Sequence, residues 1–202
     1  MKSGIGMNIM QKYEIISQND HKISNVVTTA DLKQKINIKN LNDFPWGIYD
    51  QTSYNGICGY VKTPDMKGRV TIFASGKMIS IGSNTIKDSI DKLNQTKFYL
   101  VKENLIKDVK LIPLVRNIIS TMNYGKLLNL KKLAKKLPNS EYNTDVFAGL
   151  RFKIKEGLTA LIFSSGKIVI AGGKSLKEIN DTSLLIQKTL DELEIKNNSN
   201  LK

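Results

Sequence analysis

Two stretches decide the fold: TIFASGKMISIGSN at residues 71–84 and LIFSSGKIVIAGGK at residues 161–174. They share Phe73/Phe163, Gly76/Gly166 and Lys77/Lys167, each pair 90 residues apart. Upstream, SNVVTTADLKQKINIKNL from Ser24 matches RNIISTMNYGKLLNLKKL from Arg116, with Asn25 and Asn117 offset by 92. A third match sets Tyr54-Asn55-Gly56-Ile57 against Phe147-Ala148-Gly149-Leu150, offset by 93. Three blocks in one order at nearly one offset mark an internal duplication.

Each copy reads as the same succession of elements. Asn25 to Thr29 and Asn117 to Met122 are β-branched, strand-like runs. In the second copy Leu130, Leu133, Ala134 and Leu137 follow at helical spacing, and Pro138 stops them. Strands are expected at 147–155, 158–164 and 168–171, and in the first copy at 56–62, 69–73 and 77–81. A long helix closes each copy. Ser175 with Glu178, and Thr85 with Asp88, have capping spacing. The expected class is α+β: two pseudo-symmetric repeats whose antiparallel sheets join about a twofold axis, with helices on one face.

The chain has 202 residues, enough for one ordinary domain or two small ones. It carries 31 Lys plus Arg against 18 Asp plus Glu, a net charge of +13. The excess divides as +5 over residues 1–105 and +8 over 106–202, so it belongs to both copies and not to a basic tail. Such a balance points to a polyanion, nucleic acid first and anionic lipid second. One cysteine, Cys58, excludes a disulfide framework, and one histidine, His21, excludes a His-pair metal site. No cofactor is expected, and a reducing, intracellular setting is. No run approaches the length of a membrane helix. P-loop, paired-carboxylate and Ser-His-Asp patterns are missing, which argues against a nucleic-acid enzyme.

Both faces of the strands read apolar. Ile168, Val169, Ile170 and Ala171 run without a polar break, as do Leu161, Ile162 and Phe163. Helices can cover only one face. The other therefore meets a second sheet, a second copy of the chain, or a large, flat, partly apolar partner. The DNA minor groove is such a partner, with an apolar floor, phosphate walls and few distinctive hydrogen-bonding groups.

The residues 118–150 with TALIFSSGKIVIAGGKS, and more faintly SNVVTTADL with TIFASGKMISIG, resemble a divergent member of the TATA-box-binding protein family. The resemblance implies a saddle with a curved ten-stranded antiparallel sheet, helices on its convex face, and a bent minor groove on its concave face. It implies base-edge donation by Asn25 and Asn117, and intercalation by Phe73, Phe147, Phe163 and, as a departure, Tyr54. Apolar groove contacts would come from Val27, Ile79, Ile119, Leu161 and Val169. Phosphate contacts would come from Lys77, Lys153, Lys167, Ser75 and Ser165. Glu141 and Tyr142 would meet a transcription factor B-type partner. Further departures are Thr71 in place of Leu, Ile81 and Ala171 in place of Thr, and Tyr60 in place of a basic residue.

The implied function is that of a general transcription initiation factor. It would bend A·T-rich, TATA-like promoter DNA and recruit the B-type factor and RNA polymerase, in the nucleus or nucleoid according to source. The alternatives are a specialised relative with relaxed sequence preference or another DNA-binding role, and a module that buries the sheet face against a protein. A homodimer is possible in the absence of DNA. The expected boundaries are an extension at 1–22, repeats at 23–108 and 109–195, and a tail at 196–202.

Overall fold

A computed structural model of the chain describes residues 21–199, with the side chains of Ser53, Tyr54 and residues 194–199 outside the description. Ten strands form one antiparallel sheet. In chain order they are β1 (His21–Asp31), β2 (Gly47–Tyr49), β3 (Cys58–Val61), β4 (Arg69–Phe73) and β5 (Lys77–Ser83), then β6 (Leu114–Asn123), β7 (Ser140–Glu141), β8 (Leu150–Lys155), β9 (Leu158–Ile162) and β10 (Lys167–Gly173). Their order across the sheet is β2-β3-β4-β5-β1-β6-β10-β9-β8-β7. The helices are α1 (Ile86–Lys102), α2 (Leu130–Ala134) and α3 (Leu176–Ser199). The described residues divide into two compact units, 23–118 and 119–199 with 21–22.

The shared Ser-Gly-Lys motif is a tight turn that ties each repeat together. Gly76 N donates to Phe73 O at 2.8 Å, and Gly166 N to Phe163 O at 3.0 Å. The carbonyls of the same glycines accept from Leu32 N and Tyr124 N, both at 2.9 Å, which fastens the chain leaving β1 and β6. Ala74 O and Ser164 O accept from Ile36 N and Leu128 N at 3.1 and 2.8 Å. Both glycines have positive φ, +90° and +84°, and a Cβ would come within 2.0 Å of Gln34 O or 2.4 Å of Lys126 O. Only glycine satisfies both demands.

Alternate strand residues face the helices and are buried: Val26, Thr28 and Ala30 in β1, Met78 and Ser80 in β5, Ile168 and Ile170 in β10, Ala160 and Ile162 in β9. The first core also takes Leu32, Leu41, Trp46, Leu93 and Leu100. The sequence-expected caps form. Asp88 N donates to Thr85 Oγ1 at 3.0 Å and Glu178 N to Ser175 Oγ at 3.1 Å. Lys174 N donates back to Glu178 Oε2 at 2.7 Å. Lys155 on β8 lies 2.5 Å from Glu178 Oε1, and its hydrogen bond holds the Glu178 carboxyl below its ordinary value. In the first repeat α1 instead sends the buried Lys92 to the carbonyl of Lys67, to Ser83 Oγ at 2.8 Å and to Asp88 at 3.0 Å. This pins the β3–β4 hairpin to the helix.

The α+β class with two repeats is as expected from the sequence. Two short edge strands, β2 and β7, escaped the residue reading because three and two residues carry no legible alternation. The strand expected from Phe147 begins only at Leu150, since Phe147 N turns back to Asn143 O at 2.9 Å. The second repeat has α2, capped by Asn129 Oδ1 accepting from Lys132 N at 3.0 Å. The matching Asn37 caps only a 3-10 helix over Ile38–Asp43, where Asn40, Asn42 and Asp43 disfavour an α-helix.

The repeats also differ in one buried polar site. Thr28 Oγ1 and Ser89 Oγ are 2.7 Å apart, and Ser89 Oγ donates to Ser80 Oγ at 3.2 Å. The residues matched to Thr28, Ser80 and Ser89 are Ser120, Ile170 and Ile179. Ser120 Oγ is consequently buried with no hydrogen-bond partner among the described residues. Ser120→Ala is expected to raise stability by about 1 kcal/mol, and Ser89→Ala to lower it by about 1–3 kcal/mol. Urea unfolding of the two variants checks this; equal shifts of one sign would contradict it.

Candidate nucleic-acid interface

The sheet face away from the helices is built from the other strand alternates, and most are half-buried: Asn25, Val27 and Thr29 in β1, Ile79 and Ile81 in β5, Asn117, Ile119 and Thr121 in β6. The second repeat continues with Val169 and Ala171 in β10 and Thr159 and Leu161 in β9. Register fixes two equivalent rows. Thr29, Ile79, Thr71, Tyr60 and Ile48 are successive cross-strand partners in the first repeat. Val169, Leu161, Arg151 and Glu141 are successive partners in the second. The first row mixes threonine and isoleucine before Tyr60 and the edge residue Ile48, and the second is apolar at Val169 and Leu161 and charged at Arg151 and Glu141.

The Ser-Gly-Lys turns place the expected flanking groups. Phe73 and Phe163 end β4 and precede the second turn respectively, both half-buried, while Ser75, Lys77, Ser165 and Lys167 are exposed. Lys167 N donates to Ser165 Oγ at 3.4 Å. Lys153 is exposed on β8, opposite Thr159. Phe147 meets Phe163 edge-on, with centroids 5.7 Å apart. Gly149 allows this pairing: a Cβ there would lie 2.8 Å from Phe147 Cε1 and 3.1 Å from Phe163 Cε1.

The first repeat lacks that arrangement. Opposite Phe73 stands Cys58, fully buried, and opposite Ile72 stands Gly59. In the second repeat Leu150 stands opposite Ile162, so Gly149 takes the place of Cys58. The sequence match aligns Gly149 with Gly56. Strand β3 therefore sits two residues along from that match, a shift that keeps every side chain on its face. The connection between β3 and β4, residues 62–68, is longer than the Glu156-Gly157 turn and absorbs the slide. Tyr54 lies in a 3-10 turn over Ser53–Gly56, and its side chain is outside the described residues.

Asn25 Oδ1 accepts from Gly82 N at 3.0 Å, which commits the carbonyl end and leaves the amide NH2 as the donor end. Arg116 Nε donates to Thr29 Oγ1 at 2.9 Å. With Lys33, Lys77, Phe73 and Ile112 these two residues line a hollow of about 640 Å³ within the first unit. In the second repeat the Arg151 guanidinium lies 5.0 Å from the centre of the Phe147 ring and 3.7 Å from the exposed Glu141 carboxylate. Tyr142, next to Glu141, is half-buried. Sequence reading missed Arg69 and Arg151 on this face. Their only signal was a charge alternating with apolar residues in a strand.

A family model described as transcription factor TFIID (or TATA-binding protein, TBP) matches residues 20–99 and 112–193, once for each repeat. The chain belongs to the TATA-binding protein family. Members of the family are DNA-binding transcription factors and not enzymes. The TATA-box-binding protein of Cenarchaeum symbiosum is 39% identical over 162 residues, covering 80% of this chain and 89% of that protein. That of Methanosphaera stadtmanae is 31% identical over 182 residues, covering 85% and 92%. The solved structure of Methanococcus jannaschii TBP shares the fold, with a TM-score of 0.75 at 23% identity over 86% of this chain and 99% of that one. Among the described residues no helix is long and apolar enough to cross a membrane.

Gly149→Ala is expected to push the two rings of this family member's second repeat apart. Nuclear Overhauser contacts between Phe147 and Phe163 ring protons would be lost or weakened. Unchanged contacts would show that the glycine is not what admits the pair.

Proposed function

We propose that the protein is a general transcription initiation factor that binds and bends A·T-rich promoter DNA through the minor groove. In this reading the bent complex recruits a transcription factor B-type protein and RNA polymerase. The observation that carries the reading is the half-exposed apolar face opposite the helices, bordered in each repeat by an aromatic and a Ser-Gly-Lys turn. A minor groove needs that combination. Apolar side chains meet its sugar and base edges, amides donate to its acceptors, and cations meet its phosphate walls.

Roles follow residue by residue. Val27, Ile79, Ile119, Leu161 and Val169 supply the apolar floor. Asn25 and Asn117 donate to A N3 and T O2, acceptors that either orientation of an A·T pair presents. Phe147 and Phe163 wedge a base step from the second repeat, and Phe73 with Tyr54 from the first. Lys77, Lys153 and Lys167 neutralise phosphates, with Ser75 and Ser165 as uncharged donors. Glu141 and Tyr142 offer the B-type partner an acidic and aromatic edge. Residues 1–22 are an extension to the repeats, and the protein works inside the cell.

The buried Cys58 opposite Phe73 favours a second reading, a family member with relaxed sequence preference. A filled site leaves less room for a ring pair like that of the second repeat. The loss of hydroxyls at Ile81 and Ala171 acts in the same direction.

Affinity measured at matched salt on an A·T-rich and a mixed-sequence duplex separates the readings, since salt alone moves such affinities by orders of magnitude. The promoter reading predicts tighter binding to the A·T-rich duplex. It also predicts that Asn117→Ala narrows the ratio between the two by about 5–150-fold, the worth of a good base contact. Equal affinities for the parent protein favour the relaxed reading. A ratio unchanged by Asn117→Ala removes the asparagine from base recognition.

A further inference from the structure

The first repeat carries one positive charge that the second lacks. In the second repeat Lys153 on β8 and Thr159 on β9 are register partners on the half-exposed face. With Gly149 in the place of Cys58, these positions correspond to Lys62 and Arg69. The lysine is kept, and an arginine replaces the threonine on the neighbouring strand. In the structure this arginine lies on an aromatic of β3, with the Arg69 guanidinium carbon 4.2 Å from the centre of the Tyr60 ring.

The surroundings suit a cation held ready for an anion. Arg69 is exposed, and among the described residues it has no carboxylate partner. Its register partner on β5 is Ile81, and that of Tyr60 is Thr71, both uncharged. Tyr60 is only 9% exposed and provides a fixed platform. The strand start is also fixed. Lys92 holds the Lys67 carbonyl. Gly68 packs so closely that a Cβ would fall 2.1 Å from Ile81 O. A guanidinium stacked by its plane keeps its edge N–H groups free to grip two phosphate oxygens at once, which a lysine cannot do. Stacking also reduces the rotamer freedom lost on binding.

We propose that Arg69, laid on Tyr60, is a DNA-phosphate contact of the first repeat, an added cation on β4 where the second repeat has Thr159 on β9. The inference rests on the minor-groove reading above. It adds a binding residue that the duplication by itself does not supply.

The test is the salt dependence of binding to an A·T-rich duplex by the full chain. Each phosphate contact contributes about 0.9 to the slope of log affinity against log salt. Arg69→Gln is expected to lower the slope magnitude by about 1 and to weaken binding about 3–10-fold at moderate salt. Arg69→Lys should keep most of the slope and reports on folding. Arg69→Thr, which installs the residue of the second repeat, should lower the slope as Arg69→Gln does. An unchanged slope in Arg69→Gln or Arg69→Thr overturns the proposal. Parent protein that fails to bind the duplex overturns the minor-groove reading itself, a result distinct from either.

Discussion

The fold rests on a sheet that is apolar on both sides and covered on one. Antiparallel sheets ordinarily resolve this by alternating apolar and polar residues, so that the uncovered face is wettable. Here β10 carries Ile168 and Ile170 inward but Val169 and Ala171 outward, and β5 carries Met78 and Ser80 inward but Ile79 and Ile81 outward. The outward residues gain little from folding of the chain alone. At roughly 25 cal/mol per Å² of apolar area withdrawn from water, their burial by a partner is a source of binding energy. The rest of the site serves that surface. The Ser-Gly-Lys turns set aromatic and cationic groups beside it, and the helix side anchors it through buried alternates and capped helices.

The two repeats have kept the scaffold and diverged in the details that meet a partner. The backbone bonds of the turns recur pair by pair, and so do the asparagine caps at Asn37 and Asn129. The aromatic pair does not recur. Gly149 makes room for Phe147 on Phe163, whereas Cys58 fills the corresponding place below Phe73. The buried polar chemistry diverged as well, a hydroxyl chain through Thr28, Ser89 and Ser80 in one repeat and an unpaired Ser120 in the other. A duplex is nearly symmetric while a promoter is directional, so unequal halves are a physical means of preferring one orientation.

Much of this was legible in the sequence because the duplication reads each element twice. Gly76 and Gly166 marked the turns, Thr85 and Ser175 the helix starts, and the unbroken apolar runs marked a face in want of a cover. What was not legible depends on cross-strand register. The slide of β3 by two residues conserves the facing pattern, so no periodicity reports it. Arg69 looked like an ordinary surface charge because its aromatic neighbour, Tyr60, stands on another strand. The edge strands β2 and β7 are too short for any periodicity, and they form because β3 and β8 offer them partners.

The central claim is that the uncovered apolar face closes on the minor groove and forces it open. The most direct measurement is the end-to-end distance of a short A·T-rich duplex labelled with a fluorophore at each end, with and without the protein, at fixed salt. The account predicts that saturating protein shortens this distance, and that Phe163→Ala protein at saturation shortens it less. A duplex that binds the protein and keeps its free length would contradict it.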